Sequence, residues 1–145
     1  MNTDKVKNSY LHIAADLENL ATIRRFVEGA ARSGGGDPQA IADVLIAVNE
    51  AATNIILHGY QGQPGIIEVE VAYAQDALVV CLRDRAPQYD PTSTPDPDFM
   101  LPVEQRPFGG LGVYMMRQLT DELTYRTTGD GRNELVLVKK GVRKS

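Results

Sequence analysis

The hydrophobic period of this chain changes in its middle, and that change limits the folds open to it. From Asp37 to His58 the apolar residues Ile41, Val44, Leu45, Val48, Ala52 and Ile55 recur at the three- and four-residue steps of a helix. Asp37 is placed to cap that helix, Pro38 suits its first position, where a missing N–H is harmless, and Gly59 marks its end. From Ile66 to Tyr73 the apolar residues instead alternate, and Leu78 to Leu82 is almost continuously apolar. With only Ala74-Gln75-Asp76 between them, these two segments predict a hairpin.

The flanks extend the pattern. Ser9 to Ala14 alternates as a first strand, with His12 at a surface or edge position. Asp16 to Arg32 reads as an amphipathic helix through Leu17, Leu20, Ile23, Phe26, Val27 and Ala30, closed by the glycines at 34, 35 and 36. Six of the eight prolines fall between Pro87 and Pro107, where periodicity disappears. A loop of about 20 residues in a compact domain is usually a functional lid or a disordered segment. Leu111, Val113, Tyr114, Met116 and Leu119 then have helical spacing. Strands are expected at Leu123 to Thr127 and Glu134 to Lys139, with Gly129-Asp130-Gly131 as their turn.

Composition narrows the function classes. The 145 residues suit one domain, 1–145, and 15 Lys and Arg against 19 Asp and Glu give a net charge of −4. That balance argues against non-specific nucleic-acid binding, which draws on surplus cations. The only cysteine, Cys81, sits in the run from Ala77 to Leu82 and reads as a buried, inert thiol. The first residues lack the apolar stretch of a signal peptide, and no apolar run is read as long enough to cross a bilayer, so no membrane association and a cytoplasmic location are expected.

Three places carry possible chemistry. On the helix from Asp37, Glu50 and Asn54 lie opposite the apolar stripe, with His58 one turn further. A solvated back face is one reading. Yet Ala47 and Leu57 share that face, and no Lys or Arg occurs from Ser33 to Leu82, which points to a cover other than water. A carboxylate and a carboxamide one turn apart suit one hard cation, such as Mg²⁺ with substrate phosphates completing its shell, or an activated hydroxyl. The glycines at 109, 110 and 112 leading into a helix serve either a tight turn or a phosphate held on free N–H groups. Neither a P-loop nor a Rossmann fingerprint is present. Asp84 closes a strand and opens the proline-rich loop, a common place for a turn-forming Asp.

Taken in order, Glu50-x-x-x-Asn54-x-x-x-His58-Gly59-Tyr60, a strand ending in Asp84, a lid, and Gly109-Gly110-Leu111-Gly112 entering a helix resemble the GHKL ATPases with their Bergerat ATP-binding fold. More narrowly the chain resembles the RsbW-type anti-sigma factor serine kinases. Asn49 to Tyr60 is close to that family's N-box, and Gly110 to Met116 with Asp121-Glu122-Leu123 is close to its second glycine box. The resemblance spans about residues 9–140. It implies an α/β two-layer sandwich, with a mixed, mostly antiparallel sheet covered on one face by helices.

For the site, the resemblance implies ATP with Mg²⁺. Asn54 would ligate the metal, Glu50 would be the base for the attacking hydroxyl, and Asp84 would accept from the adenine amino group. The backbone at Gly110, Leu111 and Gly112 would hold phosphates, with residues 91–108 as lid and Arg106 as the basic side chain near the γ-phosphate. His58 is expected to cap or orient. Two positions depart from the pattern: Ala86 stands where the first glycine box has Gly, and Asn133 stands near where the fold often has a Thr that supports Asp and adenine. The implied function is a protein serine/threonine kinase that phosphorylates a STAS-type anti-anti-sigma protein and sequesters a sigma factor, as a homodimer. The alternative is a nucleotide- or partner-binding module that transfers no phosphate.

Overall fold

The computed structural model describes residues 8–105 and 110–144. Five strands, β1 (Ser9–Ala14), β2 (Ile66–Ala74), β3 (Ala77–Asp84), β4 (Glu122–Thr127) and β5 (Asn133–Lys139), form one sheet in the order β1-β2-β3-β5-β4. Three helices, α1 (Leu20–Ser33), α2 (Pro38–Asn54) and α3 (Gly110–Leu119), supply the second layer. The two-layer α+β sandwich is as expected, but the sheet is not mixed. All four pairings are antiparallel, because β2–β3 and β4–β5 are joined by short turns and the helical connections return β2 beside β1 and β5 beside β3 in the opposite sense.

Alternation decides which side of the sheet meets the helices. Ile67, Val69 and Val71 of β2, Leu78, Val80 and Leu82 of β3, and Leu135 and Leu137 of β5 are buried. They meet Ile23 and Val27 of α1, Val44 and Val48 of α2, and Val113 and Met116 of α3 in one core. Asp84 belongs to the same alternating set as Leu82, so the last residue of β3 turns its carboxylate to the helix side.

The other side of the sheet carries a charge lattice. Arg83 donates to Glu134 at 2.6 Å, Glu70 at 2.6 Å and Glu68 at 3.0 Å, while His12 meets Glu68 at 2.7 Å and Arg126 pairs with Glu134. Burial raises the Glu134 pKa, but Arg126 and Arg83 outweigh it, leaving the carboxyl below its ordinary value. Cys81, expected to be buried, is half-buried on this side, and burial pushes its thiol up to about 11, above the range of activated thiolates.

The second helix departs from its expected form. Asp37 caps it by accepting from the Ala40 N–H at 2.9 Å, with Pro38 in the first turn. The α-helical ladder nevertheless stops at Asn54, and Ile55–Gly59 forms a π-helical turn in which the Tyr60 N–H reaches the Ile55 carbonyl at 2.8 Å. The helical segment ends at Gly59, as expected, and the left-handed residues follow at Gln61 (φ 53°) and Gly62 (φ 78°). The sequence reading finds no apolar run near the length of a bilayer, yet the 22-residue helical segment Pro38–Gly59 contains an 18-residue window with a mean hydropathy of 1.6, which meets that length and composition. In this fold α1, α3 and the sheet pack against it. Ala47, placed with Glu50 from the periodicity, is fully buried, whereas Leu57 is exposed.

Candidate active site

A small, mostly apolar cleft opens between α2, the ends of β3 and β5, and the start of the proline-rich segment. Ala51, Ile55 and Leu135 form part of its walls, with Pro87, Tyr89 and Pro91 on the loop side. Polar groups enter it at few points, among them Asn54, Asp84 and Asn133. Apolar walls with a few polar atoms are the general make-up of a small-molecule site.

Asp84 is held from one side. Its Oδ1 accepts from the Ala86 N–H at 2.9 Å and from Asn133 Nδ2 at 2.9 Å, and its Oδ2 has no hydrogen-bond partner among the described residues. Burial raises the Asp84 pKa, and the bonds from Asn133 and Ala86 oppose that rise without cancelling it. Asn133 is itself fixed, donating also to the Ala86 carbonyl at 3.0 Å and accepting from the Tyr125 hydroxyl at 2.5 Å. Both of its N–H donors are therefore engaged by protein. Its place is behind Asp84, setting the carboxylate, and Tyr125 is a supporting residue that sequence reading missed because it looks like any inward-facing strand aromatic.

The two departures from the family pattern have a structural basis. Ala86 is buried, and a Cβ added to Gly59 would lie 3.2 Å from the Ala86 methyl. The methyl group fits because the residue facing it on the π turn is glycine. Asn133 supplies a bond to Asp84 and a second to the Ala86 carbonyl, using a longer side chain with two donors.

Asn54 ends the α-helical part of α2. Its Nδ2 is the one buried side-chain polar atom without a partner among the described residues. An unpaired amide in a largely apolar cleft is destabilising unless a ligand completes it. Because the two ends of a carboxamide exchange by a half-turn of the side chain, the same group can offer its oxygen to a cation. The donor set fits Mg²⁺ held by few protein oxygens together with phosphates.

Glu50 lies one turn earlier on α2, against the first turn of α3. A Cβ on Gly112 would stand 2.9 Å from Glu50 Oε1, so the absence of a side chain at 112 is what lets the carboxylate rest there. Thus α3 provides the cover for the back of α2 that the missing Lys and Arg pointed to. Leu111 is 54% exposed, so only its backbone is available to phosphates. Arg106 and Gly109 lie outside the described residues. His58 is exposed at the end of the π turn and caps nothing among the described residues. The described part of the proline-rich segment is tied to α3: Arg117 of α3 donates to the Thr92 carbonyl at 2.6 Å and to Asp96 at 2.9 Å, and Phe99 meets Tyr114 of α3 edge-on with centroids 5.1 Å apart.

Residues 13–139 match the histidine kinase-like ATPase domain family. The chain belongs to this family. Its relatives include the serine-protein kinase RsbW of Bacillus cereus, 32% identical over 117 residues that cover 78% of this chain and 73% of that protein. RsbW of Bacillus mycoides is 29% identical over 124 residues, covering 83% and 78%. A solved structure of the RsbU and RsbW domains of a Mycobacterium tuberculosis protein superposes with a TM-score of 0.65 at 20% identity, over 96% of this chain and 34% of that longer one, and so supports the fold. The chain is a member of the RsbW-type serine-protein kinases within the histidine kinase-like ATPases.

Proposed function

We propose that this protein binds ATP with Mg²⁺ and transfers the γ-phosphoryl group to a serine or threonine hydroxyl of a STAS-type anti-anti-sigma protein. In the same reading it sequesters a sigma factor and acts in the cytoplasm as a homodimer. One observation carries the reading: among the described residues, Asn54, with its Nδ2 unpaired, and Asp84, with one oxygen tied and the other without a partner, wall the same apolar cleft.

In that cleft Asp84 Oδ2 accepts from an adenine amino group, and the apolar walls take the base. Asn54 would hold the divalent cation, which when bound neutralises phosphate charge. The backbone at Gly110, Leu111 and Gly112, at the N-terminal end of α3, places N–H groups and the positive end of a helix dipole toward phosphates. Glu50 accepts the proton of the attacking hydroxyl, whose oxygen forms the new bond to the γ-phosphorus as the bond to the β–γ bridging oxygen breaks and ADP leaves. Such transfer rests on positioning and charge neutralisation, which these residues can supply.

The test is calorimetric titration with ATP, with and without Mg²⁺, on the protein and on Asn54→Ala and Asp84→Ala. Metal-dependent binding lost in both variants supports the site. Transfer to a purified STAS-type protein, abolished in Glu50→Gln with ATP binding retained, then separates the kinase from a module that binds without transferring. Absence of ATP binding in the unmodified protein refutes the reading.

A further inference from the structure

Tyr60 is buried, and its hydroxyl has an unusual place. The β2–β3 ladder ends at the pair Ile67 and Asp84. The next rung would join Ile66 to Arg85 directly. Instead the Tyr60 hydroxyl stands in that rung, donating to the Ile66 carbonyl at 2.8 Å and accepting from the Arg85 N–H at 2.9 Å. Two bonds in series replace one ladder bond of about 2.9 Å, so the strand exit is held open by the width of an oxygen atom. The segment held open is the one whose next N–H, that of Ala86, fixes Asp84 Oδ1.

The same residue is anchored to α2. The π turn sets the Tyr60 backbone through its N–H to the Ile55 carbonyl, one residue after Asn54. Its ring fills space that only a glycine at 65 leaves, since a Cβ there would overlap the ring carbons. One residue before Tyr60, Gly59 makes the close approach to Ala86. The end of α2 and the Asp84–Ala86 segment are thus joined at two adjacent points, one by packing and one through the hydroxyl.

We infer that Tyr60 is a positioning residue for nucleotide binding: its hydroxyl, spliced between Ile66 and Arg85, sets the Asp84–Ala86 segment relative to the helix end that carries Asn54. The inference rests on the nucleotide-binding reading above. Removing the hydroxyl lets Arg85 and Ile66 close directly, which draws Asp84 away from the place where an adenine amino group would meet it. The ring can stay, so Tyr60→Phe tests the hydroxyl and leaves the packing against Gly65 intact.

The experiment uses the full chain with and without Tyr60→Phe. Affinity is measured by calorimetry for ATP and for purine riboside triphosphate, which lacks the 6-amino group, and amide exchange is followed by NMR at Arg85 and Leu82. The expected result is a change in Arg85 exchange with Leu82 protection kept. ATP binding weakens roughly tenfold, the weight of about one hydrogen bond to a charged group. Binding of the analogue weakens less than about threefold, as expected when the bond lost is the one to the amino group. Equal weakening for both nucleotides would mean a merely structural role and overturn the inference, as would unchanged ATP affinity. If the unmodified protein binds no ATP, the functional reading itself fails and this inference falls with it.

Discussion

Replacing Gly112 by Ala separates stability from catalysis, and the structure sets both signs. The new Cβ would stand 2.9 Å from Glu50 Oε1, and ordinary contact begins at 3.4 Å, so the carboxylate must retreat by 3.4 − 2.9 = 0.5 Å. The atom that moves is the end of a flexible side chain, so the fold tolerates it. Alanine also favours the helix by up to about 1 kcal/mol over glycine. Melting temperature should therefore stay level or rise. A misplacement of 1 Å at a reacting group can lower a rate by about 100-fold, so half that distance should lower kcat by about tenfold. The assay is steady-state transfer from labelled ATP to the purified protein substrate, with a thermal melt beside it. In a Glu50→Gln background, Gly112→Ala should add almost nothing, because both changes act through one carboxylate. A kcat within twofold of the unmodified protein, with the melt unchanged, would refute the placement of Glu50 as base.

Asp84→Asn should abolish ATP binding while raising the melting temperature at pH 7, because burial opposes the charged form of Asp84. Its folded pKa is raised, so the stability penalty is absent below the unfolded value of about 3.9 and grows as pH rises through the folded value. ATP affinity, which needs the ionised acceptor, should fall as pH drops through that same raised value, as calorimetry across pH would register. Asn133→Ala removes three hydrogen bonds behind the carboxylate and should destabilise by about 2–4 kcal/mol in denaturant melts, with weaker ATP binding. Arg83→Met leaves Glu70 without a cation, while Glu68 keeps Arg132 and Glu134 keeps Arg126, and should destabilise by about 1–3 kcal/mol at pH 7. Those carboxyls have lowered folded values, so the lattice stabilises above the unfolded value of about 4.3 and is lost as pH falls through the folded ones. The Arg83→Met deficit should therefore shrink in acid melts.

Local pattern determined much of this protein. Period two, one continuous apolar run and period 3.6, with the turn residues between them, pointed to the five strands and three helices among the described residues, because burial on one face enforces such patterns locally. The ordered Glu50, Asn54, Asp84 and glycine positions carried a resemblance to the GHKL ATPases, and that resemblance implied a nucleotide site. Other features depended on contacts between segments far apart in the chain. The buried state of Ala47, the room for Ala86 against Gly59, the bonding of Asn133 to Asp84 across the β3–β5 pair, and the Tyr60 hydroxyl in an unfinished rung all join distant residues. Periodicity reports which side of an element is apolar. It does not report which neighbour covers that side, or which donor reaches a given acceptor, and those choices arise only when α2, α3 and the ends of β3 and β5 pack together.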